Sequence, residues 1–263
     1  MIIDADTHIS PYQSDEYDIS IDELIRRMDY AEIDKAIVWL RPPYMREVAD
    51  SNLYVRRAMT EHPDRVIGFG WVDPHLDRQA MLDEIKRCHE EFGMHGIKLN
   101  GAQNDFYIDG DLAKPFQEEI AARKLVMAFH IGVDAYEGTH PYRMGKVAGR
   151  HPNCRMFMIH MGGVAFHDMS NAAIEVMQEH PNIIGIASAI RPISVLKVLK
   201  KLGTGRVAFG SDTPFNLMHV ELAATRAMME PEFTPGQIAD VLGSNVARFL
   251  GIEGPRAAAG RSR

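Results

Sequence analysis

At 263 residues, with 46% hydrophobic and 25% charged side chains, the chain has the balance of a globular protein long enough to bury a large core, which excludes a disordered, collagenous or disulfide-scaffolded polypeptide. Thirty-six acidic against 29 basic residues leave a net charge of −7 with no Lys/Arg stripe, so the electrostatic footprint of a nucleic-acid binder is missing. The two cysteines, Cys88 and Cys154, stand far apart in no metal or redox spacing, which fits a reducing compartment and makes the cytoplasm the expected location.

The N-terminal Met1-Ile2-Ile3-Asp4-Ala5-Asp6 carries acids where a secretion signal needs a basic region, and no run approaches the ~20 apolar residues that cross a bilayer. The expected partner is a small-molecule substrate rather than nucleic acid or membrane, and a homo-oligomer is compatible with the composition. Eight short apolar runs then follow in order: Met1 to Thr7, Lys35 to Leu40, Arg65 to Val72, Gly96 to Leu99, Leu125 to Ile131, Arg155 to Met161, Ile183 to Ser188 and Arg206 to Ser211. Their spacing stays close to the ~30 residues of one βα unit, and the segments between them have helical periodicity. Ser20-Ile21-Asp22-Glu23 reads as a capping box opening the first helix. His62-Pro63, His151-Pro152 and His180-Pro181 each close a helix, where an imidazole suits the negative end of the dipole, so these three histidines read as structural. Met218 to Met229 forms a further helix, and Thr234-Pro235 caps the last one, which runs to Gly251. Eight parallel strands at this period, with no phosphate-binding glycine fingerprint after the first, predict a single-domain (β/α)₈ TIM barrel over residues 1–254 and a loose tail over 255–263.

In such a barrel the chemistry sits at the C-terminal ends of the strands. Those ends carry Asp6 and His8, Lys98 and Asn100, His130, His160, and Asp212. Side chains two apart on a strand share a face, so Asp6 and His8 can reach one ion, and His130 and Asp212 can join them from other strands. Two nitrogen and two oxygen donors suit one divalent metal ion, zinc first and manganese as the alternative.

Ile3-Asp4-Ala5-Asp6-Thr7-His8, Gly96-Ile97-Lys98-Leu99, Phe129-His130, Ile159-His160-Met161-Gly162-Gly163, Phe209-Gly210-Ser211-Asp212-Thr213-Pro214 and Gly243-Ser244-Asn245-Val246-Ala247-Arg248 stand in order along nearly the whole chain. With these motifs the chain resembles the metal-dependent amidohydrolase superfamily, in its amidohydrolase-2 branch, which holds both hydrolases and non-oxidative decarboxylases. The resemblance implies that His8, His130 and Asp212 are metal ligands, that His160 assists catalysis or binds a second metal, and that Asp212 also accepts a proton. Many superfamily members carry His-x-His after the first strand where this chain has Asp6-Thr7-His8, so Asp6 is either a ligand or a group that orients His8.

Lys98 has three readings: an anchor for a substrate carboxylate, which is favoured, a carboxylated bridge between two metals, or the structural partner of an acid. Arg41, Arg143 and Arg191 follow strands on the same side and, with Asn100, are expected to bind an anionic substrate. His75, His140, His167 and His219 also follow strands and are left unassigned. The expected reaction is hydrolysis of a lactone, ester or amide by metal-activated water, with Asp212 moving the proton and His160 stabilising the oxyanion. The alternatives are non-oxidative decarboxylation of an unsaturated or aromatic acid at the same centre, and a barrel that binds metal or ligand without turnover.

Overall fold

The computed structural model describes residues 1–41, 48–164 and 168–252. Eight parallel strands run in chain order in one sheet: β1 (Ile3–Ile9), β2 (Lys35–Leu40), β3 (Val66–Trp71), β4 (Gly96–Leu99), β5 (Val126–Gly132), β6 (Met156–Val164), β7 (Ile183–Ile186) and β8 (Val207–Ala208). The helices α1 (Ile21–Tyr30), α2 (Val48–Glu61), α3 (Arg78–Glu90), α4 (Lys114–Ala122), α5 (Tyr136–Thr139), α6 (Pro141–Arg150), α7 (Ser170–Glu179), α8 (Pro192–Leu202) and α9 (Met218–Met229) lie between and after them. α10 (Pro235–Ala239) and α11 (Asn245–Leu250) close the described chain. This is a single-domain (β/α)₈ barrel, as the period of the apolar runs predicts. Among the described residues no helix is long and apolar enough to cross a membrane. The expected tail over 255–263 lies outside the described residues.

β8 is regular over only two residues, where the sequence pattern extends to Ser211. The segment beyond Ala208 pairs with β1 instead, through Ala5 N–H to Phe209 O, Asp212 N–H to Asp6 O and His8 N–H to Thr213 O, at 3.0, 2.9 and 2.7 Å. These bonds close the barrel and bring the ends of β1 and β8 together. At the other joints local chemistry does what the sequence implies in part. Ser20 Oγ accepts from Glu23 N–H, but the Glu23 carboxylate pairs with Arg26 and Arg27 rather than completing the box. Thr234 and Gln237 do form the reciprocal box. The last helical segment breaks at Gly243, where a Cβ would lie 2.5 Å from Met1 O, so only glycine lets this turn pass beneath β1.

The barrel interior is filled by Ile3 and Ala5, Ile37 and Trp39, Ile67 and Phe69, Phe157 and Ile159, and Ile184 and Ile186, while the other strand faces pack on the helices. On β1 the inward positions are thus odd-numbered at first. Between Asp4 and Thr7 the pairing with β2 slips, three residues of β1 opposing two of β2. The extra residue reverses the inward set, so beyond it Asp6 and His8 face the mouth. A second slip separates the pairs His130–Ile159 and Gly132–Val164, with the surplus in β6. There His160 takes φ 55°, and Asp212 after β8 takes φ 60°, both in the left-handed region that side chains other than glycine seldom adopt.

Candidate metal centre

Asp6 sits at the centre of the mouth, fully buried. Its Oδ2 accepts from Ser188 Oγ at 2.6 Å, and its Oδ1 lies 3.4 Å from Lys98 Nζ and 3.6 Å from His8 Nε2. Burial works to raise its pKa, but the Lys98 ammonium and the imidazoles of His8 and His160 outweigh it, holding the carboxyl well below the usual range. His8 Nδ1 is 2.8 Å from Leu40 O, which can only accept, so Nε2 carries the lone pair. That Nε2 takes the Trp39 indole N–H at 3.1 Å and lies 3.6 Å from both Asp6 Oδ1 and Asp212 Oδ1.

His160 is oriented in the same way. Its Nδ1 donates to Ser188 O at 3.0 Å and lies 2.9 Å from Ser188 Oγ, leaving Nε2 as the acceptor. One ligand atom each from Asp6, His160 and Asp212 falls within 4.8 Å of the others, all three residues buried. His130 is 6% exposed and its ring centroid is 4.8 Å from that of His160, but its Nε2 faces the Asp134 carboxylate, 3.1 Å from either oxygen. Burial lowers the His130 pKa against the pull of Asp134. The structure therefore brings Asp6, His8, His160 and Asp212 together and sets His130 beside them, engaged with Asp134. Two buried carboxylates face one ammonium here, and two imidazole lone pairs are fixed by carbonyls behind them, that of His8 exchangeable from the Trp39 N–H to an ion, which is a donor set that fits a divalent cation.

Lys98 is 1% exposed, with Nζ 3.9 Å from the centre of the Trp39 ring and 5.7 Å from that of Trp71. Burial lowers its pKa, and Asp6 and Asp212 oppose the shift. Its contact with Asp6 is the one that the third sequence reading expects. Asn100 Oδ1 accepts from Ala102 and Gln103 N–H, capping its own turn. Arg41 forks onto Asp15 and also binds Asp18, and Arg143 is held by Asp109 and Glu137 O over the Tyr107 ring. Arg191 is exposed at the start of α8. His75 bonds Asp105 O, His140 caps α6, and His219 packs on Tyr30, while His167 lies outside the described residues.

Four neighbours went unnoticed at the sequence level: Ser188, Trp39, Asp134 and Asp4. The strand-end rule applied to β7 and β2 reaches Ser188 and Trp39, whereas nothing in the pattern marks Asp134. Asp4 lies behind the cluster, where Oδ1 accepts from Asp6 N–H and Ser211 N–H, joining β1 to the strand that brings Asp212. Its Oδ2 is buried with no partner among the described residues, and burial pushes its pKa from 3.8 up to about 7 in spite of those bonds. Folding thus takes up a proton at Asp4 between the ordinary carboxylate pKa, near ~4, and about 7, so stability is full below that window and falls as pH rises through it. Asp4→Asn keeps the acceptor and removes the titration. Thermal melts of the metal-free protein between acid and neutral pH are expected to show a decline that this variant flattens, and an unchanged pH dependence would contradict the assignment.

A family model described as amidohydrolase, of the amidohydrolase-2 type, matches residues 3–252. The chain belongs to the amidohydrolase-2 family. It is 25% identical over 260 residues to a gamma-resorcylate decarboxylase of Rhodococcus jostii, covering 75% of this chain and 78% of that protein. It is 23% identical over 252 residues to a 2-amino-3-carboxymuconate-6-semialdehyde decarboxylase of Dictyostelium discoideum, covering 82% of this chain and 69% of that one. Its fold matches a crystal structure of 5-carboxyvanillate decarboxylase from Novosphingobium aromaticivorans, complexed with manganese and a nitrobenzoic acid, with a TM-score of 0.77 at 16% identity over 95% of this chain and 96% of that one.

Proposed function

We propose that this amidohydrolase-2 protein is a metal-dependent, non-oxidative decarboxylase of an aromatic or otherwise unsaturated carboxylic acid. The observation that carries this reading is the likeness to decarboxylases over three quarters or more of the chain, on two different substrates. It favours the alternative of the sequence reading over hydrolysis, which the same donor set would also serve. Asp6, His8 and Asp212 hold the ion, together with one imidazole of the His130–His160 pair. We take the ion as manganese, on two hard oxygen donors and on the ion in the solved decarboxylase. When bound, the ion supplies positive charge that draws in and neutralises the substrate's oxygen anions.

The chain's own residues then have separable tasks. Asp6 is immobilised by Lys98 and Ser188 and serves binding alone. Asp212 is the more accessible carboxyl, its side chain 11% exposed against 0% for Asp6, and carries the proton. The carbon–carbon bond to the carboxylate breaks, its electron pair stays on the ring carbon and takes the proton from Asp212, and neutral carbon dioxide leaves. The imidazole of the pair that is off the ion would stand by the departing group, its tautomer fixed by the carboxylate or carbonyl behind it. Lys98 keeps one balancing charge in the site as the proton moves. The test is a screen of hydroxybenzoates and unsaturated acids on the manganese-loaded protein in isotopically labelled water. Carbon dioxide with a product one carboxyl group smaller is expected; label in a product carboxylate without carbon dioxide would return the protein to the hydrolases.

A further inference from the structure

The exposed edge of the mouth carries aromatic side chains that the reaction scheme leaves unused. Phe215 is 38% exposed and meets the His8 ring edge-on at 5.6 Å. Tyr17, 41% exposed, also lies against Phe215, with ring centroids 5.6 Å apart and planes 31° apart. Phe215 is fixed by its N–H to Asp212 O at 2.9 Å, so one turn carries both the proton-bearing carboxyl and the ring. Tyr17 is fixed differently. It belongs to the loop between β1 and α1, whose ends meet through Ser10 N–H to Ile19 O.

Arg41, following β2, holds that loop through two of its acids. Its two terminal nitrogens grip both oxygens of Asp15 at 2.9 and 2.8 Å, and one of them also reaches Asp18 Oδ1 at 2.7 Å. Asp15 Oδ1 in turn accepts from Tyr17 N–H at 2.8 Å, and Asp18 Oδ2 accepts from Ser14 N–H at 2.7 Å. Bidentate guanidinium–carboxylate pairs fix geometry as well as charge. Both terminal nitrogens of the Arg41 guanidinium are thus spent on placing this loop. Two partly exposed rings beside a buried polar cluster leave apolar area uncovered, and a flat unsaturated ring covers it best.

We propose that Tyr17 and Phe215 form the stacking wall for the planar ring of the substrate, and that Arg41 is a positioning residue that holds Tyr17 there through Asp15 and Asp18. The proposal rests on the aromatic-acid reading given above. It replaces a direct grip of Arg41 on the substrate by an indirect one, and it makes ring flatness, not charge alone, the property selected at the mouth.

Calorimetric titration of the manganese-loaded protein with benzoate, salicylate and the ring-saturated cyclohexanecarboxylate tests it. The wild type is expected to prefer the aromatic acids. Tyr17→Ala and Arg41→Met should each weaken salicylate about fivefold without changing bound manganese, with little effect on cyclohexanecarboxylate. The double variant should be no weaker than the worse single one, because Arg41 acts through Tyr17, and Tyr17→Phe should restore wild-type affinity. Additive losses, equal losses for the saturated acid, or a wild type indifferent to ring flatness would overturn the proposal. Phe215→Leu provides a second probe of the wall, expected to lose aromatic preference in the same way. Ring-selective binding with no carbon dioxide from any acid would remove the decarboxylase reading and leave this one standing, while carbon dioxide release with unaltered salicylate affinity in the variants would do the reverse.

Discussion

Replacing Asp6 by Asn is expected to empty the metal centre and to lower kcat/KM by about a thousandfold or more, since the ion's several kcal/mol of charge stabilisation go with it. The carboxylate is fully buried and touches Lys98, Ser188, His8 and His160 at once. An amide keeps the hydrogen bond from Ser188 but takes from the Lys98 ammonium over Trp39 its nearer anion, leaving Asp212 alone to face it. Breaking one side of a buried pair costs about 3–5 kcal/mol, and at roughly 2–4 °C per kcal/mol for a protein of this size the metal-free variant should melt about 6–20 °C lower. Elemental analysis, carbon dioxide release and a thermal melt measure the three effects. Full occupancy with normal turnover would show that Asp6 only orients its neighbours. The pair also sets an acid limit. Because the Asp6 pKa is depressed in the folded chain, the stability it supplies is complete above the ordinary carboxylate pKa and drains away as pH falls below it.

The two touching imidazoles should part company on mutation. Of His130→Ala and His160→Ala, one is expected to lose the ion and the other to keep it while kcat falls about 10²- to 10⁴-fold, the range of a removed proton-transfer group. The motif resemblance puts the ion on His130, and the compact donor group of the structure puts it on His160. Their rings lie 4.8 Å apart, each with one nitrogen already committed, His130 to Asp134 and His160 to Ser188. Metal content in the two variants assigns the roles. Retention of metal and rate in both, or loss of metal in both, would mean that the pair does not divide ligation from catalysis as proposed.

Much of the barrel is legible in the chain because a buried parallel strand must be apolar on both faces, and eight such runs at one period have few other solutions. Strand ends agree to within a few residues except at β8, where pairing with β1 replaces regular strand geometry. The cluster is legible for a related reason: an acid or imidazole ending an apolar run has nowhere to go but the mouth. What the pattern hides is who else is near. Arg41 follows β2 as an arginine of the mouth would, yet the acids that occupy it, Asp15 and Asp18, come from a loop whose path no periodicity describes. Lys98 reads as an anchor, and only the fold sets it against Asp6 and the rings of Trp39 and Trp71. Asp134 is four residues from His130 in a short irregular segment, and only the fold sets it against that ring.

The slipped pairing in β1 carries a consequence for variation along the chain. Strand alternation is a two-letter frame, inward and outward, and the extra residue between Asp4 and Thr7 shifts that frame once, immediately before the ligands. Substitutions at neighbouring positions change one side chain at a time and leave the frame intact. Pairing the same residues without the slip would turn Asp6 and His8 toward the helices, with both still present and their spacing unaltered. Register at this point is therefore under tighter constraint than the identity of the residues around it, and the motif places the ligands only where the slip accompanies it.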